Sequence, residues 1–164
     1  MRGTCLAVSA AAVAEIDLLL LCDHAEVVNG KLYVLGGGWT QTVRMIAAPP
    51  PGASGPELPP TQFAIAVSLL IDWEEAGGVL PVRIGIEDEV GHALMAVTGQ
   101  LTTGRPPTPT PGLALRSTLA MPVALVFPHP GVYRARVDIP GQESSRITTF
   151  EVLDQAAPLP GALN

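Results

Sequence analysis

Leu18 to Trp39 reads LLLLCDHAEVVNGKLYVLGGGW. An apolar run, an Asn29-Gly30 turn signal, a second apolar run and three glycines before a Trp describe two strands joined by a tight turn. Leu18 to Leu21 is apolar at successive positions, as expected of a central strand covered on each side. Asp23-His24-Ala25-Glu26 then breaks the run, and Val27-Val28 leads into the turn. Lys31 to Leu35 carries the chain back. Gly36, Gly37 and Gly38 are too many for a comfortable strand interior and predict a bulge or a close backbone approach.

The same strand signal recurs outward from this stretch. Phe63, Ile65, Val67, Leu69, Ile71 and Trp73 alternate with Gln62, Ala64, Ala66, Ser68 and Asp72, and only Leu70 breaks the period of two. Val82, Ile84 and Ile86 point one way, Glu87 to Gly91 turns the chain, and Met95, Val97 and Leu101 continue on the return strand. Leu115, Leu119, Met121, Val123, Leu125 and Phe127 alternate with Arg116, Thr118 and Pro122. Because Pro122 cannot donate to a ladder, it belongs on an edge or at a bulge. After the turn Pro128-His129-Pro130-Gly131, the inward set is Tyr133, Ala135, Val137 and Ile139, and Phe150 and Val152 supply the last inward pair.

No amphipathic helix of useful length interrupts this pattern. About eight strands with regular turn signals predict an all-β, single-domain antiparallel β-sandwich with an immunoglobulin/fibronectin-like Greek key. Tyr133 sits where such folds place a tyrosine that ties down the preceding loop. Two long proline-rich loops cross the ends of the sandwich: Ala47 to Pro60, with six prolines and two glycines, and Gly104 to Gly112.

At 164 residues, nearly half of them apolar, the chain is sized for one domain whose core needs no metal or disulfide staple. The domain is expected over residues 16–154. Residues 1–15 read as a flexible tail or a mis-annotated start, and residues 155–164 as a C-terminal tail. Arg2 followed by an Ala-rich uncharged run also resembles a short secretion signal. The expected location is the cytoplasm, with secretion as the lesser alternative.

A net charge of -6 with no basic window argues against a nucleic-acid partner. No uncharged stretch reaches the roughly 18 residues of a membrane helix. Cys5 and Cys22 do not make a disulfide framework, and Cys22 reads as a small buried hydrophobe. A single Lys against eight Arg, in a chain rich in Ala, Gly and Pro, has the look of a GC-rich bacterial genome.

Gly30-Lys31-Leu32-Tyr33-Val34-Leu35-Gly36-Gly37-Gly38-Trp39 resembles the opening signature of a family of uncharacterised bacterial proteins common in actinobacteria. The likeness runs from about Ile16 to Asp154 and includes the loop Gly104 to Pro107 and Pro130-Gly131-Val132-Tyr133. Members usually begin close to the first strand. The resemblance implies the fold and carries no activity.

Candidate contacts are Asp23, His24, Glu26, Gly36, Gly37, Gly38 and Trp39. Exposed Trp39 or Trp73 could stack on sugar rings, although packing in the core suits both better, since Trp is highly buried on average. Asp23, His24 and Glu26 are the most metal-like group. They fall short of the six or more oxygens that calcium takes and of a zinc ligand set. Glu87, Asp88 and Glu89 with His92 could supply an acid and a base, but a hairpin tip offers little of the burial that separates their pKa values. There is no Gly-x-Ser-x-Gly, and the three glycines lack the helix that a phosphate loop needs. The sequence thus points to a non-enzymatic protein-binding or structural module, with no catalytic residue, metal or cofactor assigned and a protein partner or its own copies as ligand. The alternatives are a carbohydrate-binding module using Trp39 or Trp73 and a small metal-dependent hydrolase using His24 or His92.

Overall fold

Among the described residues, alternating apolar side chains drive nine strands into two sheets that close over one core. The structure, a computed structural model, describes residues 14–49, 52, 55–105, 107–108 and 113–156. The strands are β1 (Ala14–Val28), β2 (Lys31–Gly37), β3 (Gln41–Ile46), β4 (Thr61–Ile71), β5 (Val79–Asp88), β6 (Ala93–Thr102), β7 (Leu115–Leu125), β8 (Gly131–Asp138) and β9 (Ser145–Ala156). One sheet has the order β2-β1-β4-β7 and the other β3-β9-β8-β5-β6. The fold is a β-sandwich, and both proline-rich segments carry the chain from the second sheet to the first.

The inner face of β4 presents Phe63, Ile65, Val67, Leu69 and Ile71, all buried. Leu19 and Leu21 of β1 pair with Val67 and Ile65, and Ile84, Ile86, Val137 and Val152 meet them from the opposite sheet. Each such side chain stabilises the fold by about 1.5–3 kcal/mol, whereas an exposed ion pair such as Arg83–Asp138 contributes about 0–1 kcal/mol. Burial therefore sets the architecture. The other face of β4 is also covered: Ala64 and Ala66 form a second cluster with Cys22 and Ala25, against which Leu20, Leu32 and Ala120 pack. Their partners in the ladder, Cys22 with Ala64 and Leu20 with Ala66, are small enough on one side to let the long side chains lie down.

Several sequence expectations need correction. Among the described residues the strands number nine, Gln41–Ile46 forming β3, and β3 runs parallel to β9, so the sandwich is not wholly antiparallel. That pairing joins Arg44 to Asp154, whose Oδ1 accepts from Arg44 Nε, while Arg44 Nη1 donates to the Phe127 carbonyl at 2.9 Å. A buried Arg so satisfied has no signature in local periodicity. Trp73 does not extend the inward row of β4; it opens a 3-10 turn (Trp73–Glu75), half-buried under the Arg105 guanidinium, 4.8 Å from its ring centroid. The last strand reaches Ala156 rather than ending at Asp154. Residues 1–13, among them Cys5 and most of the expected N-terminal tail, lie outside the described residues, as do 157–164 and parts of both proline loops.

Tyr133 has the tethering role expected of it. Fully buried, it packs on Phe127 and Phe150, and its hydroxyl donates to the His129 carbonyl at 2.7 Å. Burial raises the phenol pKa despite that hydrogen bond. Tyr133→Phe leaves the His129 carbonyl without this donor, and chemical denaturation should show a loss of about 1–2 kcal/mol. An unchanged midpoint would mean that the loop is held by other contacts.

Candidate functional site

The β1–β2 hairpin combines an ideal turn with an unusual surface. Asn29 and Gly30 both take positive φ, 51° and 73°, as a two-residue type I′ turn requires. Six pairs then run from Val28–Lys31 to Cys22–Gly37. At its base the hairpin is anchored by the buried Cys22 and Ala25. Beyond that base it carries Val27, Val28, Tyr33, Val34 and Leu35 exposed, with Leu35 at 70% and Tyr33 at 50%. β2 is the free edge of its sheet.

The structure divides the candidate contact residues into two groups. Asp23, His24 and Glu26 are exposed on β1, with His24 opposite Leu35 and Glu26 opposite Tyr33. Gly36 has φ 61°, and a Cβ there would meet the Asp23 carboxylate at 2.1 Å. A Cβ on Gly37 would lie 2.8 Å from Leu20 and Val34 side-chain atoms. The expected close approach is thus an Asp side chain laid across a glycine. Gly38, at φ 86°, donates its N–H to the Leu21 carbonyl at 2.9 Å as the chain leaves the sheet. Trp39 parts from the others and enters the core, edge-on to Phe63 and Phe150 at 5.8 Å each. Its Nε1 is buried without a partner.

Among the described residues no three His, Cys, Asp or Glu side chains are placed to hold a metal ion. Asp23 and His24 instead line one side of an open depression of about 280 Å³ with Gln62, Ala64, Pro122 and Ala124. Cys22 is a buried free thiol, donating to the Ala64 carbonyl at 3.4 Å, and burial raises its pKa, with the Asp23 charge adding to the shift. It has the packing role that its position in an apolar run implied. Among the described residues no helix is long and apolar enough to cross a membrane.

The acidic tip between β5 and β6 is a folded turn in its own right. Asp88 Oδ1 accepts from the N–H groups of Val90 at 3.1 Å and His92 at 2.7 Å, and the His92 ring Nδ1 lies 3.2 Å from Oδ2. Desolvation works to raise the Asp88 pKa. The His92 and Val90 hydrogen bonds and the His92 charge outweigh it and hold the carboxyl below its ordinary 3.8. This carboxylate is occupied in closing the turn.

Sequence reasoning missed the apolar residues of the hairpin as surface. An apolar run looks the same whether it is covered or stands at an edge, so periodicity could not separate Val34 and Leu35 from Leu19 and Leu21.

The chain belongs to a family of unknown function, DUF6941, whose pattern matches residues 17–152. The match takes in all of the hairpin, which is therefore part of the family's own domain. No curated protein matches the chain.

Gly36→Ala should cost about 1–2 kcal/mol in backbone strain alone, with a further loss from the Asp23 contact. Adding Asp23→Ala should recover only the second part, as read by urea denaturation of the single and double variants. A Gly36→Ala protein as stable as wild type would overturn this account of the glycine. For Asp88, the folded pKa lies below the unfolded one, so its stabilisation is complete above about pH 4 and is lost as pH falls through the folded value. Asp88→Asn should therefore lower Tm at pH 7, and the gap to wild type should close on acidification. A gap that persists at about pH 2 would assign the effect to something other than the charge.

Proposed function

We propose that this chain is a non-enzymatic protein-binding module that engages its partner through the β1–β2 hairpin. The observation that carries the proposal is the exposure of Val27 and Val28 on β1 and of Tyr33, Val34 and Leu35 on β2, the unpaired edge strand. Scattered exposed apolar residues are ordinary, but five of them gathered on one hairpin are more than solvation favours and suit an interaction site. An aromatic side chain at its centre, Tyr33, supplies the type of anchor that dominates interface energies. The free backbone groups of an edge strand add directional hydrogen bonds.

The surroundings of the tryptophans lend nothing to sugar stacking. Trp39 is packed edge-on against two phenylalanines, and Arg105 covers the Trp73 ring. Hydrolysis gains no more from Asp88 and His92, whose side chains close a turn.

The test is affinity capture from the native host with the full chain as bait, compared with a Tyr33→Asp/Leu35→Asp variant of matching circular dichroism. A stoichiometric partner held by the wild type should be lost at least tenfold in the variant, equivalent to about 1.4 kcal/mol or more. Equal capture by the two proteins, or none by wild type, would overturn the proposal.

A further inference from the structure

Among the described residues, the outer edge of β2 has no neighbouring strand. In a two-residue hairpin the closing pair, here Val28–Lys31, exchanges both of its hydrogen bonds, and the pairs then alternate. Lys31, Tyr33 and Leu35 accordingly turn their N–H and C=O groups toward β1. Leu32 and Val34 turn theirs outward, where no strand receives them. From this we infer that the partner at the hairpin is a second copy of this chain, joined by antiparallel β2–β2 pairing centred on Val34. The inference rests on the hairpin being a protein-binding surface and names its occupant.

The register follows from the strand itself. With the two-fold axis at Val34, the two Val34 residues form a doubly hydrogen-bonded pair. Tyr33 of each copy then faces Leu35 of the other at a position without hydrogen bonds, where side chains approach closest. The most exposed apolar residue and the only aromatic of the hairpin thereby cover one another, twice. Leu32 comes opposite Gly36, and Lys31 opposite Gly37. The pairing is isologous, each copy giving and receiving the same contacts.

The other free edges are poorer candidates. β7 carries Pro122, which lacks an N–H to donate. On β3, the Val43 carbonyl already accepts the Thr61 hydroxyl at 3.4 Å. β6 is open, yet Val97 is its only large exposed apolar side chain among the described residues. Pairing through β2 would join two four-stranded sheets into one of eight strands, which is within the usual range for a twisted sheet.

Sedimentation equilibrium of the full chain tests the inference. Wild type should be a dimer at micromolar concentration. Val34→Pro removes an N–H that faces away from β1, so the hairpin is kept while the dimer dissociation constant should rise at least tenfold, by about 1.4 kcal/mol or more. Should that variant misfold, Val34→Cys serves instead. On the two-fold axis its Cα atoms would stand about 5.5 Å apart, within disulfide reach, so mild oxidation should give a covalent dimer where Val97→Cys gives none. A wild type that stays monomeric at about 100 μM, or equal cross-linking at both sites, overturns self-pairing. If the monomer still captures another protein in a Leu35-dependent way, the hairpin reading survives and only its occupant is wrong. Capture indifferent to the hairpin would sink both.

Discussion

Five aromatic rings hold the two sheets in register. Phe63 stands on β4 in one sheet, Tyr133 and Phe150 on β8 and β9 in the other, and Phe127 and Trp39 fill the space between from connecting segments. Their centroids lie 4.8 to 6.5 Å apart, mostly edge to face, the arrangement favoured by ring quadrupoles. Because Trp39 is pulled into this cluster, the chain must leave the first sheet immediately after Gly37. The glycines are the hinge of that departure. The hairpin stays behind on the sheet edge with its apolar side chains uncovered, so core packing and surface exposure are two results of one anchor.

The chain spends its aromatic residues sparingly, having seven in all, and five of them are in this cluster. Trp73 is covered by Arg105. Tyr33 is the exception, half exposed on a strand edge where solvation alone would favour a polar residue. Its ring adds nothing to the core, and the proposed interface rests on that exposure.

Most of the sandwich was legible because its inner faces obey a period of two. From Phe63 to Ile71 and from Tyr133 to Ile139, the residues expected to face inward are buried, and the Asn29-Gly30 turn is where its dihedral preference put it. Pro122 lies on an edge strand for want of an N–H. What escaped was decided by partners distant in sequence. QTVRMI becomes a strand because β9 offers Asp154 to Arg44 across 110 residues, and no window of ten residues contains that information. Trp73 fits the alternation of β4 in sequence, but the strand ends at Ile71 and the turn hands it to Arg105. Of the candidate site, Asp23, His24, Glu26, Gly36 and Gly37 share the hairpin, whereas the exposure of its apolar residues depends on what does not lie beside them.

The parallel pairing of β3 with β9 also governs the order of assembly. The β1–β2 hairpin needs only neighbouring residues and can close as soon as Leu35 has emerged during synthesis. β3 comes next in the chain, yet its one neighbour in the sheet is the last strand. For the time taken to translate more than a hundred further residues, Gln41–Ile46 has nowhere to dock, and the nascent domain carries a closed hairpin ahead of an unplaced strand. Closure of the second sheet is thereby a report that translation has passed β9, and a chain truncated before β9 would present an unpaired β3 and the bare edge of β8, still paired to β5, to whatever surrounds the ribosome.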